Sequence, residues 1–316
     1  MPVSTTQHHT SDPPQRTVII IANPSSGYLP HQPNRLHEAL DYLHRHGWQA
    51  ELWFTRRQGD GKELAQKAVE QGAAMVVAAG GDGTINEIIQ GLAGSETALG
   101  VLPTGTVNVW AREVGIPLDV HDACNILVFG QTRHIDLGCV NGRYFLLMVG
   151  IGFDAEVTQK VEHKPLKRLG PLGYVLAALW FGPGYTGFPV IVRYDDYAIR
   201  TRALQVIIGN TQLYAGAFKF TWQARCDDGA LDLCLVRRRS LPGRIMVLWD
   251  FFRRRKNRHR WVRYNTFSSI TIETPRPVAF QIDGDPGGYT PATFTVQPRA
   301  LKVVVPYRTP KGLFSD

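Results

Sequence analysis

The chain has 316 residues, of which 44% are hydrophobic and 20% are charged, and its formal net charge is +8. This composition excludes an intrinsically disordered protein and is sufficient to build two hydrophobic cores. The longest apolar run, around residues 174–181, is too short to cross a bilayer as a helix. The four cysteines show no Cys-x-x-Cys spacing, so the sequence indicates neither a zinc site nor a disulfide framework and predicts reduced thiols.

The first part of the chain alternates short apolar runs with amphipathic segments. Residues 1–16 are mostly polar and show no signal-peptide pattern, so we expect a disordered tail. Apolar runs predict strands at residues 17–22, 50–54, 74–79 and 98–102. Helical spacing of apolar residues predicts helices at 33–47, 62–72, 85–92 and 120–129. This alternation predicts a doubly wound α/β domain over residues 17–133, with helices on both faces of a parallel sheet.

After residue 133 the pattern changes, and strands dominate. Asn141-Gly142, between apolar runs at 134–140 and 143–148, predicts a tight hairpin. Further strands are predicted at residues 189–194, 203–208, 231–237, 268–273 and 301–305, with helical patches at 173–181 and 242–253. We therefore expect a second, mainly antiparallel β domain over residues 134–316. The sequence leaves open whether its last strand returns to the first domain.

The most informative segment is residues 80–87, which read Gly-Gly-Asp-Gly-Thr-Ile-Asn-Glu between a predicted strand and a predicted helix. Glycines at such a turn let the backbone approach a ligand closely, and the N–H groups of the helix N-terminus then face an anion. Asp82 places a carboxylate at this phosphate site, where a metal ion or a proton transfer can use it. The glycine order differs from the dinucleotide-binding and P-loop fingerprints. A purely structural turn is the alternative for this segment taken alone.

Two further turns follow predicted strands in the same way. Residues 23–27 (Asn-Pro-Ser-Ser-Gly) follow the first strand, and residues 103–108 (Pro-Thr-Gly-Thr-Val-Asn) follow the fourth. Open α/β sheets bind their ligands at the carboxyl ends of the strands. Each turn by itself is equally well an ordinary loop. The presence of all three in one α/β domain favours a shared ligand site.

In these motifs the sequence resembles the catalytic domain of the diacylglycerol kinase and sphingosine kinase superfamily, and most closely its soluble bacterial lipid kinases. The resemblance continues through residues 150–155, 209–210, 214–216, 227–232 and 282–285. The motif Gly-Gly-Asp-Gly-Thr is shared with NAD kinases, whereas Asn86-Glu87 and the element at 105–108 favour lipid kinases. The resemblance implies an NAD kinase- or phosphofructokinase-like α/β domain and a β-sandwich over residues 134–316.

The resemblance also implies which residues bind ATP and metal. The ATP-binding positions are Asn23, Thr55, Gly80, Gly81, Asp82, Gly83, Thr84, Asn86, Glu87, Gly105, Thr106 and Asn108. Asp82 is implied to organise the site through Mg²⁺, whereas Thr55 has the alternative of a plain strand-ending threonine. A structural metal site is implied at the Asp228 carboxylate, completed by the backbone oxygens of Arg225 and Ala230. A simple Asp-capped turn is the alternative there.

A general base is the remaining part that the resemblance implies. The family carries an Asp-Gly-Glu element whose glutamate takes the proton of the substrate hydroxyl, and residues 283–285 here read Asp-Gly-Asp. The candidate base is therefore Asp285, which is one methylene shorter. A misplacement of about 1 Å can lower a rate about a hundredfold, although aspartate is the base in protein kinases. Asp82, Asp154 and Asp283 complete the implied catalytic carboxylates, and a simple hairpin turn is the alternative for the 283–285 segment.

Basic residues concentrate in the segment 237–263, where Arg and Lys are interleaved with Trp and Phe. Such a mixture suits an anionic membrane surface. No helix-turn-helix, zinc-finger or RNA-binding signature accompanies it, so we do not expect nucleic acid as a partner. The alternative is a solvated helix face whose aromatic residues pack into the core.

The sequence therefore predicts an ATP- and Mg²⁺-dependent lipid kinase that phosphorylates the hydroxyl of diacylglycerol or a related lipid alcohol. The alternatives are a kinase of a sphingoid base or of NAD, and a catalytically weak lipid- or nucleotide-binding regulator. We expect a cytoplasmic protein. Peripheral attachment at the inner membrane surface and the oligomeric state stay open.

Overall fold

The structure is a computed structural model of the chain. It describes residues 16–27, 29–30, 34–153, 155, 186–214, 218–237, 243, 246, 249–251, 253 and 261–315. The predictions for the tail at 1–15, for Asp154, for the helical patch at 173–181 and for most of 242–253 lie outside these residues. Within the described part, no helix is both long enough and apolar enough to span a membrane.

The first part of the chain forms the alternating strands and helices that its apolar periodicity predicts. The strands are β1 (Arg16–Ala22), β2 (Trp48–Phe54), β3 (Met75–Gly80) and β4 (Ala98–Pro103). The helices are α1 (Asn34–Arg45), α2 (Asp60–Glu70), α3 (Asp82–Leu92), α4 (Val109–Val114) and α5 (Val120–Phe129). The strands pair in parallel in the order β2-β1-β3-β4. Every residue of β3 and β4 is buried, as expected for a parallel sheet covered by helices.

The second part is built from strands that pair mainly antiparallel. They are β5 (Gln131–Val140), β6 (Arg143–Phe145), β7 (Met148–Gly152), β8 (Phe188–Arg193), β9 (Ala198–Gly209), β10 (Leu213–Tyr214), β11 (Phe218–Lys219), β12 (Leu231–Arg237), β13 (Val262–Phe267), β14 (Ser269–Glu273), β15 (Ala279–Ile282), β16 (Asp285–Tyr289) and β17 (Ala292–Val305). Asn141 and Gly142 join β5 to β6 with φ angles of 52° and 75°, which confirms the predicted hairpin.

Strand β17 connects the two sets of strands into one continuous sheet. It pairs antiparallel with β5 and β14 and, at Val303 and Leu99, in parallel with β4. One hydrophobic cluster surrounds the parallel strands, and a second lies among the antiparallel strands. The antiparallel strands are therefore held in a fixed relation to the turns that follow β3 and β4.

The strand predicted at residues 143–148 is wrong as a single element, because the chain divides it into β6 and β7. The backbone N–H groups of Leu146, Leu147 and Met148 donate to the carboxylate of Asp283, at 2.8, 3.0 and 2.8 Å. Leu146 and Leu147 thus leave the strand ladder for a side chain on a distant hairpin. Local alternation of apolar residues carries no information about such an interruption.

Candidate active site

The three glycine-containing turns meet at the carboxyl ends of β1, β3 and β4. The Gly105 N–H donates to the carbonyl oxygen of Gly80 at 3.2 Å. A Cβ added to Gly105 would lie 2.4 Å from the Cα of Gly81, and one added to Gly27 would lie 1.8 Å from the carbonyl oxygen of Thr104. Gly27 also has a φ of +51°, which a side chain rarely adopts. The turns are thus in backbone contact, and only glycine fits at the contact points.

Helix α3 starts within the glycine-rich turn, three residues before the predicted start at Ile85. Gly81 is its N-cap residue and, having no side chain, makes no side-chain cap to the first turn. The first N–H groups of a helix have no partner within the helix, so this end is suited to an anion. Gly83 is exposed there, whereas Thr84 is buried against Gly80, where an added Cβ would lie 2.2 Å from the Thr84 hydroxyl.

Asp82 joins this turn to the start of α4. Its carboxylate accepts hydrogen bonds from the backbone N–H groups of Val109 and Trp110, at 3.0 and 3.1 Å. Burial raises the pKa of Asp82, and these two N–H groups, its own backbone N–H and the charge of Arg112 oppose that shift because they favour the ionised carboxylate. Asp82 therefore holds the two turns together and keeps a carboxylate beside the glycines.

Several of the predicted ATP-binding side chains accept hydrogen bonds from backbone N–H groups, Asn23 and Asn108 within their own turns and Glu87, on α3, from α2. Asn23, Glu87 and Asn108 accept from the backbone N–H groups of Ser25 (3.0 Å), Gly61 (3.1 Å) and Gly105 (3.0 Å), respectively. Thr55 follows β2, and its N–H donates to the carbonyl oxygen of Ala22 at 3.0 Å. Thr106 is exposed. Asn23 and Asn108 thus fix the shape of their turns, and Thr106 is the exposed side chain among these residues.

Asn86 links α3 to the hairpin that carries the candidate base. Its side-chain amide donates to the Asp283 carboxylate at 2.9 Å and accepts from the guanidinium of Arg143 at 2.9 Å. Arg143 donates in turn to the Asp285 carboxylate at 3.1 Å. Asn86 is only 2% exposed, so the part of this connection at α3 is buried. We call these four side chains the Asn86 network.

Asp283 is the most constrained carboxylate of the site. It accepts four hydrogen bonds, from the Asn86 amide and from the N–H groups of residues 146–148. Burial raises the pKa of Asp283 to about 6, although all four donors favour the ionised form. Its φ of 48° is in the left-handed region. The four contacts fix the position of the Asp283 side chain, and its catalytic role stays a prediction.

Asp285 is more accessible than Asp283. Asp283 and Gly284 form the two-residue turn between β15 and β16, with φ angles of 48° and 96°, and Asp285 opens β16. Its side chain is 39% exposed and that of Arg143 is 34% exposed, so a substrate can reach both. Residues 283–285 therefore form a hairpin turn and also carry the candidate base, so the two interpretations of this segment are compatible. Asp154 lies outside the described residues, so its place beside these carboxylates stays a prediction.

Two residues of this region were not found by sequence reasoning. Arg143 occupies the first position after the Asn-Gly turn, and the apolar pattern of the strand does not mark it as a functional residue. Gln90 donates to the carbonyl oxygen of Tyr144 at 2.9 Å and accepts from its N–H at 3.0 Å, so it takes the place of a neighbouring strand for β6. The helical spacing of Asn86 and Gln90, four residues apart, was the signal that one face of α3 is polar and serves a second element.

The loop predicted to bind a structural metal forms a compact turn. The Asp228 carboxylate accepts from the N–H of Ala230 at 3.1 Å, and the buried Asp136 accepts from the N–H of Gly229 at 2.6 Å. Burial raises the pKa of Asp228, and the N–H of Ala230 lowers it. In the part of the chain that the structure describes, no group of three acidic, histidine or cysteine side chains lies close enough to hold a metal ion. A site with Asp228 and the backbone oxygens of Arg225 and Ala230 stays a prediction.

Comparison with known proteins covers almost the whole chain. The diacylglycerol kinase catalytic domain matches residues 17–140, and the YegS C-terminal NAD kinase β-sandwich-like domain matches residues 147–305. The diacylglycerol kinase of Staphylococcus epidermidis RP62A is 32% identical over 301 residues, which are 94% of this chain and 93% of that protein. The diacylglycerol kinase of Staphylococcus saprophyticus is 30% identical over 291 residues, which are 91% and 94% of the two chains.

Solved structures share the fold. A crystal structure of a diacylglycerol kinase from Bacillus anthracis strain Sterne has a TM-score of 0.72 at 22% identity, over 93% of this chain and 97% of that one. A second structure from the same strain has a TM-score of 0.81 at 25% identity, over 96% and 99% of the two chains. The resemblance and the fold class inferred from the sequence motifs are confirmed. The chain belongs to the diacylglycerol kinase family, whose members are phosphotransferases with an alcohol group as acceptor.

Proposed function

We propose that this protein transfers the γ-phosphoryl group of ATP to the hydroxyl of diacylglycerol or a related lipid alcohol. The observation that carries the proposal is the Asn86 network. Helix α3 begins at the glycine-rich turn, and the network joins its second turn to the hairpin of Asp285 through contacts of 2.9–3.1 Å. A phosphate-binding turn and a candidate base are thereby held in one rigid arrangement, which is what phosphoryl transfer requires.

The three turns are the proposed ATP site. Backbone N–H groups at the start of α3 would hold the phosphates, because the helix end carries partial positive charge and its N-cap residue, Gly81, has no side chain to occupy it. A Cβ on Gly105 would lie 2.4 Å from the Gly81 Cα, so a side chain at Gly105 would fill the space between the turns. Thr106 is exposed at the same edge and would add a hydroxyl donor.

The carboxylates fit a magnesium-dependent reaction. Mg²⁺ prefers oxygen ligands and is commonly bound by one or two carboxylates together with substrate phosphates. Asp82 would hold it, since an ionised carboxylate has about four acceptor sites and backbone N–H groups occupy only part of them. When bound, Mg²⁺ neutralises charge on the transferring phosphoryl group.

Asp285 would act as the general base. The substrate hydroxyl oxygen attacks the γ-phosphorus, the bond from that phosphorus to the bridging oxygen of ADP breaks, and the hydroxyl proton passes to the Asp285 carboxylate. Asp283 would hold the hairpin in place through its four hydrogen bonds and would not exchange a proton with substrate. ATP is assigned to residues 17–133 and the lipid to residues 134–316, so that transfer occurs where the two parts meet.

We further propose that the segment 237–263 docks on an anionic membrane surface. Among its described residues, Trp249 is 55% exposed and Met246 is 43% exposed, and the Arg253 guanidinium lies 5.9 Å from the Trp249 ring. Phe251, in contrast, is buried against Phe220. Exposed apolar side chains beside a cation are typical of a surface that inserts at lipid headgroups.

Vesicle sedimentation tests the docking surface. Binding is expected to increase with the fraction of anionic lipid, to fall with salt, and to weaken in Trp249→Ala. Tyr307→Ala is the matched control, because Tyr307 is an aromatic residue that is 73% exposed outside the segment. Binding that is indifferent to lipid charge and to salt would contradict the docking proposal.

Phosphate transfer from labelled ATP tests the enzyme proposal directly. The acceptors are diacylglycerol, monoacylglycerol, ceramide and sphingosine in mixed micelles, with NAD in buffer. Asp285→Asn is expected to lower kcat about 10²- to 10⁴-fold, since it removes a general base without changing its shape. Asp195→Asn, an exposed aspartate between β8 and β9, is the control, and Asp82→Ala should abolish product.

Other outcomes of the phosphate-transfer assay would support a different function or a different base. Label on NAD alone would identify a kinase of a soluble substrate, and label on sphingosine alone would identify a sphingoid-base kinase. ATP binding without phosphorylation of any acceptor would favour a catalytically weak lipid- or nucleotide-binding regulator. Product at the wild-type rate in Asp285→Asn would show that another group is the base.

A further inference from the structure

The guanidinium of Arg143 lies at the centre of the Asn86 network. One of its nitrogens, Nη2, donates to the side-chain oxygen of Asn86 at 2.9 Å and to the Asp285 carboxylate at 3.1 Å. The other terminal nitrogen, Nη1, donates to the backbone oxygen of Pro286 at 3.2 Å. Arg143 therefore contacts Asn86 on α3, the candidate base Asp285 and the backbone oxygen of the residue after that base.

We propose that Arg143 is a positioning residue that holds the Asp285 carboxylate in the direction in which it receives the proton of the substrate hydroxyl. This inference rests on the proposed function. It also suggests how an aspartate can serve where the family has a glutamate. The contact with Arg143 would fix the direction of the shorter Asp285 carboxylate.

The geometry explains why the residue is an arginine. A guanidinium is planar and presents its N–H groups in a fixed fork, so two nitrogens bound at different places fix the plane of the whole group. Here Nη1 is held by the Pro286 carbonyl and Nη2 by Asn86, and the second N–H of Nη2 then points at Asp285. A lysine has a single nitrogen on a flexible chain and cannot maintain three such contacts with one defined direction.

The same geometry predicts that the contact matters for rate more than for stability. The side chains of Arg143 and Asp285 are 34% and 39% exposed, and solvent screens an ion pair of that kind. The pair therefore adds little to the free energy of unfolding. A base displaced by about 1 Å, however, can lower kcat about a hundredfold.

Steady-state kinetics of Arg143→Gln and Arg143→Lys test the inference. We expect Arg143→Gln to lower kcat about 10- to 100-fold, with KM for ATP and for the lipid changed less than about twofold and the melting temperature preserved. Arg143→Lys should recover only part of the rate. The matched control is Arg193→Gln, because Arg193 makes an exposed two-contact ion pair with Glu273, at 3.0 and 3.0 Å, on β8 and β14.

A double-mutant cycle with Asp285→Asn separates positioning from an independent role. If Arg143 acts through Asp285, the double variant will be about as slow as Asp285→Asn alone. Multiplied effects would overturn the inference, because Arg143 would then act on something other than the base. A higher KM for ATP with unchanged kcat would also overturn it and would make Arg143 a nucleotide ligand.

The wild-type enzyme distinguishes failure of this inference from failure of the proposed function. An active wild type together with an equally active Arg143→Gln would overturn the role of Arg143 and leave the lipid kinase intact. A wild type that binds ATP and labels no acceptor would overturn the proposed function, and the inference would fall with it.

Discussion

The side-chain amide of Asn86 donates to the carboxylate of Asp283 at 2.9 Å, although 197 positions separate the two residues in the chain. Asn86 lies on the first turns of α3, and Asp283 lies in the turn between β15 and β16. The contact therefore fixes the end of the glycine-rich turn relative to the hairpin of the candidate base. The arrangement of the site depends on it.

Substitution of Asn86 should show the strength of this contact. Asn86→Ala removes one donor from a carboxylate that burial already disfavours, so we expect the free energy of unfolding to fall by about 1–3 kcal/mol. Asn86→Asp should be less stable still at pH 7, because it places a second carboxylate beside Asp283. Urea unfolding of both variants measures the difference. An Asn86→Asp variant as stable as the wild type would contradict this account of the network.

Two glycines of the predicted ATP site should respond in opposite directions. A Cβ on Gly105 would lie 2.4 Å from the Gly81 Cα, so Gly105→Ala should lower the free energy of unfolding by about 1–3 kcal/mol and weaken ATP binding. Gly83 has no atom within 4 Å of an added Cβ and lies in α3, so Gly83→Ala should raise stability by about 0.5–1 kcal/mol. Thermal unfolding and ATP titration measure both. Equal behaviour of the two variants would show that the turns are not in contact.

Asp232 should give the protein a measurable dependence of stability on pH. It is 5% exposed in β12, and burial together with the neighbouring Asp228 raises its pKa to about 7 from the ordinary value of 3.8. The unfolded chain releases this proton near pH 3.8 and the folded chain near pH 7, so the folded state binds more protons between these values. The contribution of Asp232 to stability therefore falls as pH rises through this window and is unfavourable above pH 7.

Asp232→Asn isolates that contribution, because the amide has the same shape and does not ionise. We expect the variant to gain stability over the wild type progressively from pH 4 to pH 7 and to be the more stable protein at pH 8. Guanidinium unfolding at pH 5 and pH 8 measures the difference. Asp195→Asn, which alters an exposed aspartate, should show no comparable change. If the free energies of unfolding of wild type and Asp232→Asn differ by the same amount at all pH values, Asp232 is not the source of the pH dependence.

Magnesium should stabilise the protein through the loop of Asp228 if that loop binds metal. A ligand present at about 100 times its Kd adds about 2.7 kcal/mol to the stability of the state that binds it. We expect the melting temperature of the nucleotide-free wild type to rise with MgCl₂ and to fall back on chelation, and Asp228→Asn to lose most of this response. The same response in both proteins would show that Asp228 forms only the turn with Ala230.

Local pattern was sufficient for most individual elements. The apolar runs around residues 74–79 and 98–102 are the fully buried strands β3 and β4, because a strand covered on both faces needs no alternation. Helix α5 begins and ends at Val120 and Phe129 as its periodicity predicts. The hairpin at Asn141-Gly142 follows from the backbone angles that these two residue types tolerate.

The strand order and the contacts of the site were not available from local pattern. The division of residues 143–148 into two strands is imposed by Asp283, and the pairing of β17 with both β4 and β5 joins distant parts of the chain. No periodicity distinguishes Arg143 from any other charged residue at the start of a strand. Its role is visible only where three acceptors surround it.

By itself, the sequence determined the glycine-rich turns, the family and the list of candidate residues, because each of these depends on short runs whose chemistry is local. The tertiary structure decided what those residues do to one another. Asn23 and Asn108 bind backbone groups of their own turns, Glu87 binds the backbone of α2, and Asp283 bonds the backbone where β6 gives way to β7. A hydrogen bond between residues 197 positions apart depends on which strands pair, and strand pairing is set by packing of the whole chain.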